Sequence, residues 1–183
     1  MTPRDALRLL QGEIVQVAGC TEPAAIAYAF RTLIRHLPAA SVPGDLHATL
    51  RISRDAFRNA STAVVPHLNK PGLLAAAAAG RASRADDFNV FADFDLPLAR
   101  RFMKNGDWLR VVPVRRNGLV VALSFSADTH ILLNGRHDHI EQLVVAGRDL
   151  TPRPRPFPPP PRLEEIFALA RKRDPKLEAL ALD

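Results

Sequence analysis

The chain has 183 residues, 47% of them hydrophobic, and a formal net charge of +6, which suits one good-sized folded domain, or a core with an appendage, and favours an anionic partner over a cationic one. A single cysteine excludes an internal disulfide framework and any cysteine-rich metal cage built by this chain alone. The longest apolar candidate, GLLAAAAAG at 72–80, is too short to cross a bilayer, and the opening MTPRDALRLLQGEI lacks the segments of a secretory signal, so a cytoplasmic location is expected.

Asp5 to Val17 spaces Ala6, Leu7, Leu10, Ile14 and Val17 so that one helical face is apolar, with Pro3 tolerated in the first turn and Gly19 ending the run. A second helix is predicted from Thr21, whose hydroxyl can cap it. Glu22 then meets the positive end of the dipole, Pro23 needs no N–H partner, and Ala24 to Ile34 are strong helix formers. After the turn-rich PAASVPGD, the alternation in LHATLRIS at 46–53 predicts a half-buried strand. RDAFRNASTAVVPHLNKPG reads as a short helix feeding a loop. Pro71 opens an Ala-rich helix whose small side chains suit close backbone packing, and Asp95 caps LPLARRFMKNG, which ends at Gly106. From Leu109 the period becomes two, and LRVVPV, LVVALSFS, THILLNG and EQLVVAG, separated by turns such as RRNG, predict a four-stranded antiparallel meander.

Composition shifts after Gly147, because seven of the 16 prolines fall between Pro152 and Pro161. Such density specifies an extended polyproline-type linker. Beyond it RLEEIFALARKRDPKLEAL regains helical spacing, with Leu163, Ile166, Phe167 and Ala170 on one face. The expected organisation is therefore an α+β domain over 1–147, helices packed on a small, mainly antiparallel sheet, then a Pro-rich linker over 148–162 and a C-terminal helix and tail over 163–183.

Two basic clusters carry the charge. Arg100, Arg101, Lys104, Arg110, Arg115 and Arg116 interleave with Phe102 and Trp108; Arg148, Arg153, Arg155, Arg162, Arg171, Lys172 and Arg173 lie in the tail. No nucleic-acid reader motif accompanies them, so a solvated face and a soluble tail are expected rather than a nucleic-acid site. His137 and His139 flank Asp138 in GRHDHIE; two imidazoles at i and i+2 share a strand face, but without a third ligand at a diagnostic spacing a polar hairpin turn is the better reading. His67 follows Val-Val-Pro in a loop and would pair with Cys20 if the two loops converge, while His36 and His47 flank a turn as surface residues. Asp86 and Asp87, being adjacent, point apart on most backbones and suit loop or capping roles rather than paired acid-base work.

Cys20, the lone thiol, immediately precedes Thr21 at a predicted helix start, where free N–H groups and the dipole would favour a thiolate able to act as nucleophile or metal ligand; the alternative is a buried structural thiol. The segment GCTEPAAIAYAFRTL resembles the Gly-Cys-Thr-Glu-Pro stretch of the L-cysteine desulfidases, iron-sulfur lyases related to the alpha component of bacterial L-serine dehydratases. FRNASTAVVPHLNKPGLLAAAAAG is similar to that family's Asn-Ala stretch with its following Val-x-x-Pro and Ala-rich helix, and ADTHILLNGR to a late strand with a central Thr-His pair. The likeness covers about residues 5 to 173 and corresponds to the N-terminal part of a family chain more than twice as long.

The resemblance implies a 4Fe-4S cluster acting as a Lewis acid in β-elimination from a small amino acid of the L-cysteine or L-serine type. It implies Cys20 as cluster ligand, Glu22 and Asn59 near the substrate, and Thr129 and His130 as further catalytic candidates. The family's other ligands come from its C-terminal half, which this chain lacks. The expectation is thus a subunit or half-protein completed by a cysteine-bearing partner chain; the alternative is a non-catalytic assembly module that keeps the fold without a cluster. Membrane association is not expected.

Overall fold

The helix predicted from Thr21 forms as α1 (Thr21–His36) in the computed structural model, which describes residues 17–38 and 46–153 together with Arg162, Glu164, Phe167, Ala168, Arg171 and Pro175. Pro23 to Ala27, Ala29, Phe30 and Thr32 to Ile34 are all buried, far more than one stripe, because α1 packs on the sheet and on a second helix as well. That second helix is the Ala-rich α3 (Leu73–Ala82), which follows β1 (Ala48–Ser53), α2 (Arg54–Thr62) and a minimal two-stranded ribbon, β2 (Val64–Val65) with β3 (Lys70–Pro71). Gly72, at φ +102, caps α3 in place of Pro71, which pairs in the ribbon.

Side chains on α3 are small where α1 comes closest. Ala75 to Ala79 are wholly buried, and a Cβ built on Gly80 would lie 2.4 Å from the Ala27 carbonyl oxygen, so glycine is the residue that permits this approach. At the end of α3 the Arg81 guanidinium is buried between the rings of Phe102 and Trp108, 4.1 and 4.5 Å from their centroids, and donates to the Leu46 carbonyl at 3.4 Å. Burial depresses its pKa, and the two π-faces offset part of that cost. The aromatic residues of the first basic cluster are therefore spent inside the fold: Trp108 is buried, edge-on to Phe30 at 5.7 Å, and donates its indole N–H to the Phe102 carbonyl. α4 (Leu96–Lys104) begins as expected, with Asp95 Oδ1 accepting from the Leu98 N–H at 2.9 Å.

β4 (Leu109–Val114), β5 (Val120–Ser126), β6 (Thr129–Asn134), β7 (Ile140–Val145) and the short β8 (Arg148–Asp149) complete the chain's main unit, residues 16–152. The six-stranded sheet has the order β4-β1-β5-β6-β7-β8. β5 to β7 pair antiparallel as predicted and β8 extends the run, but β4 does not pair with β5: β1 lies between them, antiparallel to β5 and parallel to β4. The four-stranded meander from Leu109 is thus corrected to a mixed sheet. Arg115 to Leu119 bridge over one strand, since β1 brings Leu50 and Ile52, both wholly buried, to the centre of the core. Val121, Leu123, Ile131, Leu133, Leu143 and Val145 point to that same core, under α1. The result is the expected α+β class, four helices with a mainly antiparallel sheet among the described residues.

Most of the helix expected at 5–17, most of the Pro-rich linker expected at 148–162 and most of the C-terminal helix lie outside the described residues; Arg148 and Asp149, expected in the linker, instead pair with β7 as β8. In the second compact unit, residues 1–15 and 153–183, Glu164, Phe167 and Ala168 are helical and the Arg171 N–H donates to the Phe167 carbonyl at 3.1 Å. No helix among the described residues is long and apolar enough to cross a membrane.

Candidate functional site

The approach to α1 is fixed by its backbone. Gly19 has φ +89, and a Cβ there would stand 2.9 Å from the Pro66 ring, so the loop carrying Cys20 meets the loop carrying His67 at a point only glycine allows. Ala18 is held by its N–H donating to Asn89 Oδ1 at 2.9 Å. Cys20 itself, extended at φ −80 and ψ 143, is the capping residue; Thr21 is already helical, and its hydroxyl donates to Glu22 Oε2 at 3.2 Å instead of capping a backbone N–H.

Three further elements converge on Glu22. Cys20 Sγ donates to Oε2 at 3.0 Å, Asn59 Nδ2 from α2 donates to Oε1 at 2.8 Å, and His137 Nε2 lies 4.0 Å from Oε1. His137 arrives on the β6–β7 hairpin, where Arg136 pairs with Asp138 at 3.3 Å and the His139 carbonyl accepts from the Asn134 N–H. The hairpin is the polar turn expected from GRHDHIE, and it separates the two imidazoles: His137 faces Glu22 while His139 is exposed. Sequence reasoning singled out His137 only as half of a histidine pair; nothing in its local pattern signals an approach to a carboxylate 115 residues earlier in the chain.

These contacts reverse the expected electrostatics. Partial burial opposes ionisation of Glu22, yet the hydrogen bonds from Cys20 and Asn59, its own backbone N–H at the helix start and the charge of His137 outweigh it and hold the carboxyl at about 2. The Cys20 thiol moves the other way: desolvation first, then its bond to the Glu22 carboxylate and that negative charge, raise its pKa. Backbone N–H groups at the helix start do act in the anticipated direction, but desolvation of the thiol and its hydrogen bond to the Glu22 carboxylate outweigh them. At neutral pH Cys20 is an exposed, protonated thiol and Glu22 an ionised, mostly buried carboxylate.

Because Glu22 ionises more readily in the folded than in the unfolded chain, its contribution to stability is present in full above about pH 4.5 and is lost as pH falls through about 2. The Glu22→Gln variant is expected to lose roughly 1 to 2 kcal/mol of that contribution at pH 6, after allowance for solvent screening, and to match the parent near pH 2. Urea midpoints at the two pH values check this; equal gaps at both would remove the ionised hub.

Thr129 and His130 lie elsewhere. Thr129 is buried at the start of β6, where its hydroxyl bonds Asp128 at 3.2 Å and accepts from the Ala146 N–H at 3.1 Å, and His130 Nδ1 bonds the Ala127 carbonyl at 3.1 Å. The six residues of β6 separate this turn from the hairpin bearing His137 by about 17 Å of strand. His67, at φ +63, sits beside Phe94 with ring centroids 6.1 Å apart, in an open depression with Asp93 and Leu96, and Cys20 bonds Glu22 rather than His67. Asp86 pairs with Arg31 and Arg35, and Asp87 caps the turn at Asn89.

A 4Fe-4S cluster is held by several cysteine thiolates. This chain supplies one cysteine, protonated and bonded to a carboxylate, and among the described residues no three His, Cys, Asp or Glu side chains are grouped to hold a metal ion. On its own described residues the site does not fit a cluster.

No family model matches the chain, and no solved structure matches it. It is similar to proteins named UPF0597 protein: 34% identical over 154 residues to that of Nitratidesulfovibrio vulgaris, covering 79% of this chain and 33% of the relative. The Clostridium botulinum protein is 26% identical over 152 residues, covering 78% and 34%, and the Latilactobacillus sakei protein 35% identical over 75 residues, covering 40% and 16%. The chain thus spans about a third of the length of the first two relatives.

Proposed function

We propose that this chain is one part of a lyase that performs β-elimination on a small amino acid of the L-cysteine or L-serine type, its site completed by a polypeptide segment carrying the remaining ligands of a 4Fe-4S cluster. The observation that carries the reading is the convergence of Cys20 and Asn59, 39 residues apart, on the Glu22 carboxylate. These are three residues on which the resemblance to iron-sulfur lyases rests. Relatives about three times as long support a chain that works with further sequence.

The chain's own groups have definite roles in this scheme. Glu22 stays ionised throughout the neutral range and offers an anion to a substrate ammonium group, and Asn59 fixes the plane of that carboxylate. Cys20 would be the one cluster ligand this chain supplies, and its thiol would have to be deprotonated to serve as such.

A second reading, a non-catalytic assembly module, draws on the same thiol, because a protonated Cys20 in a hydrogen bond needs no metal to explain it. Cys20→Ser separates the two. In the lyase reading the assembly purified anaerobically from source cells carries iron, and the variant drops iron and elimination activity to background. In the module reading serine keeps the bond to Glu22, and partner binding and stability stay within about 0.5 kcal/mol of the parent. An iron-free native assembly lacking a second cysteine-bearing polypeptide would sink the lyase reading.

A further inference from the structure

The helices cover one face of the sheet, and strand register defines what the other presents. Thr49, Arg110 and Ser124 form one cross-strand row, and Arg51, Val112 and Ala122 the next. These alternate with the inward residues Leu50, Ile52, Val121 and Leu123, and none of the six belongs to the hydrophobic core. The middle of this face is therefore small and half-buried, Thr49, Ser124 and Ala122, while Arg51 and Arg110 stand exposed on it.

More positive charge gathers at the end of the same two strands. β1 and β4 run parallel with Ser53 opposite Val114, and from these ends the chain continues into Arg54, the first residue of α2, and into Arg115 and Arg116 after β4. All three are exposed, and among the described residues none of the five arginines meets a carboxylate. Some surface arginines are paired, Arg31 and Arg35 with Asp86 and Arg84 with Asp93 and Asp95, while Arg58, Arg100, Arg101 and Arg148 are exposed and, among the described residues, also meet no carboxylate. What sets the five apart is their place on and beside β1 and β4. A concentration of unpaired guanidinium groups around small residues is suited to planar recognition of carboxylates across a protein interface. Strand addition at the outer edge is disfavoured, since β4 carries Pro113, which lacks an N–H, and Arg110.

We propose that this open face, rimmed by Arg51, Arg54, Arg110, Arg115 and Arg116, docks a polypeptide corresponding to the two thirds of the relatives' length that this chain does not span, through a surface of that polypeptide rich in Asp and Glu. The inference rests on the reading that a further segment completes the Cys20 site; charge complementarity and the missing length select the occupant. Nucleic acid is the competing anion, and the buried state of Trp108 and the Arg81 stack over Phe102 leave this basic region without aromatic platforms for bases.

The test uses the full chain, affinity-tagged, in its source cells, against the double variant Arg51→Glu with Arg110→Glu and a control with the same charge change on α4, Arg100→Glu with Arg101→Glu. Captured polypeptides are identified by sequence, nuclease treatment is included, and circular dichroism verifies that each variant is folded. The proposal expects a polypeptide matching the remaining two thirds of the relatives to be recovered with the parent and the control, at least tenfold less with the double variant, and cross-linked to β1, β4 or β5. Equal recovery with the folded double variant overturns the docking face and leaves the split reading standing. If the parent recovers no such polypeptide, the split reading itself fails. Recovery that disappears with nuclease, or cross-links only from this chain's own C-terminal segment, assigns the face to another occupant and overturns the proposal.

Discussion

Gly80→Ala is expected to destabilise the protein by about 3 kcal/mol or more, lowering its melting temperature by roughly 10 °C. The new methyl group would lie 2.4 Å from the Ala27 carbonyl oxygen and 2.6 Å from its Cα, and both belong to backbone inside α1, which cannot swing aside as a side-chain tip would. α1 in turn is packed on the sheet by Phe30 and Leu33, so moving it strains two interfaces at once. Alanine's better helix propensity returns about 1 kcal/mol at most, which does not alter the sign. Gly118→Ala is the control: no atom lies within 4 Å of its added Cβ, and only the backbone cost at φ +74, about 1 kcal/mol, is expected. Thermal melts of both variants measure the difference. A Gly80→Ala protein melting within about 2 °C of the parent would mean that the helices are not in this contact.

Glu22→Ala is expected to turn Cys20 from a quiet thiol into a reactive one. Desolvation is the largest cause of the raised thiol pKa and stays in the variant, but the carboxylate adds to it by accepting the thiol proton in a hydrogen bond and by its charge. The variant removes both, so the backbone N–H groups of the helix start are opposed by desolvation alone. Iodoacetamide alkylation at pH 8, followed by mass spectrometry on the single cysteine, should run several-fold faster than in the parent. Asn59→Ala keeps the Cys20–Glu22 bond and serves as comparison. A rate for Glu22→Ala at or below the parent's would show that the carboxylate does not restrain the sulfur.

The site was partly legible for a definite reason. Cys20 and Glu22 are two residues apart, so a predicted helix start places them together, and the resemblance to iron-sulfur lyases adds Asn59. His137 could not be found in this way, because its approach depends on how the β6–β7 hairpin lies over the first turn of α1. The direction of the Cys20 shift was hidden for a related reason. Helix dipole and N–H groups can be read from local sequence and favour the thiolate, whereas the hydrogen bond that opposes them depends on which way the Glu22 side chain turns, and Asn59 and His137 help decide that.

Local chemistry settled α1, the Ala-rich α3, the Asp95 cap and the period-two strands, because propensity, capping and alternation act over a few residues and need no distant partner. Sequence also bounds the cofactor question, since one cysteine remains one cysteine in any fold. Tertiary structure alone decided that β1 enters between β4 and β5, since its alternation is equally compatible with either neighbour and the choice is made by burying Leu50 and Ile52 under the helices. It decided too that Trp108 and Phe102 enclose a buried arginine instead of facing solvent, and that one carboxylate gathers a thiol, an amide and an imidazole from three separate stretches of chain. Each depends on contacts between residues far apart in sequence, where packing selects among arrangements that local preference leaves equal.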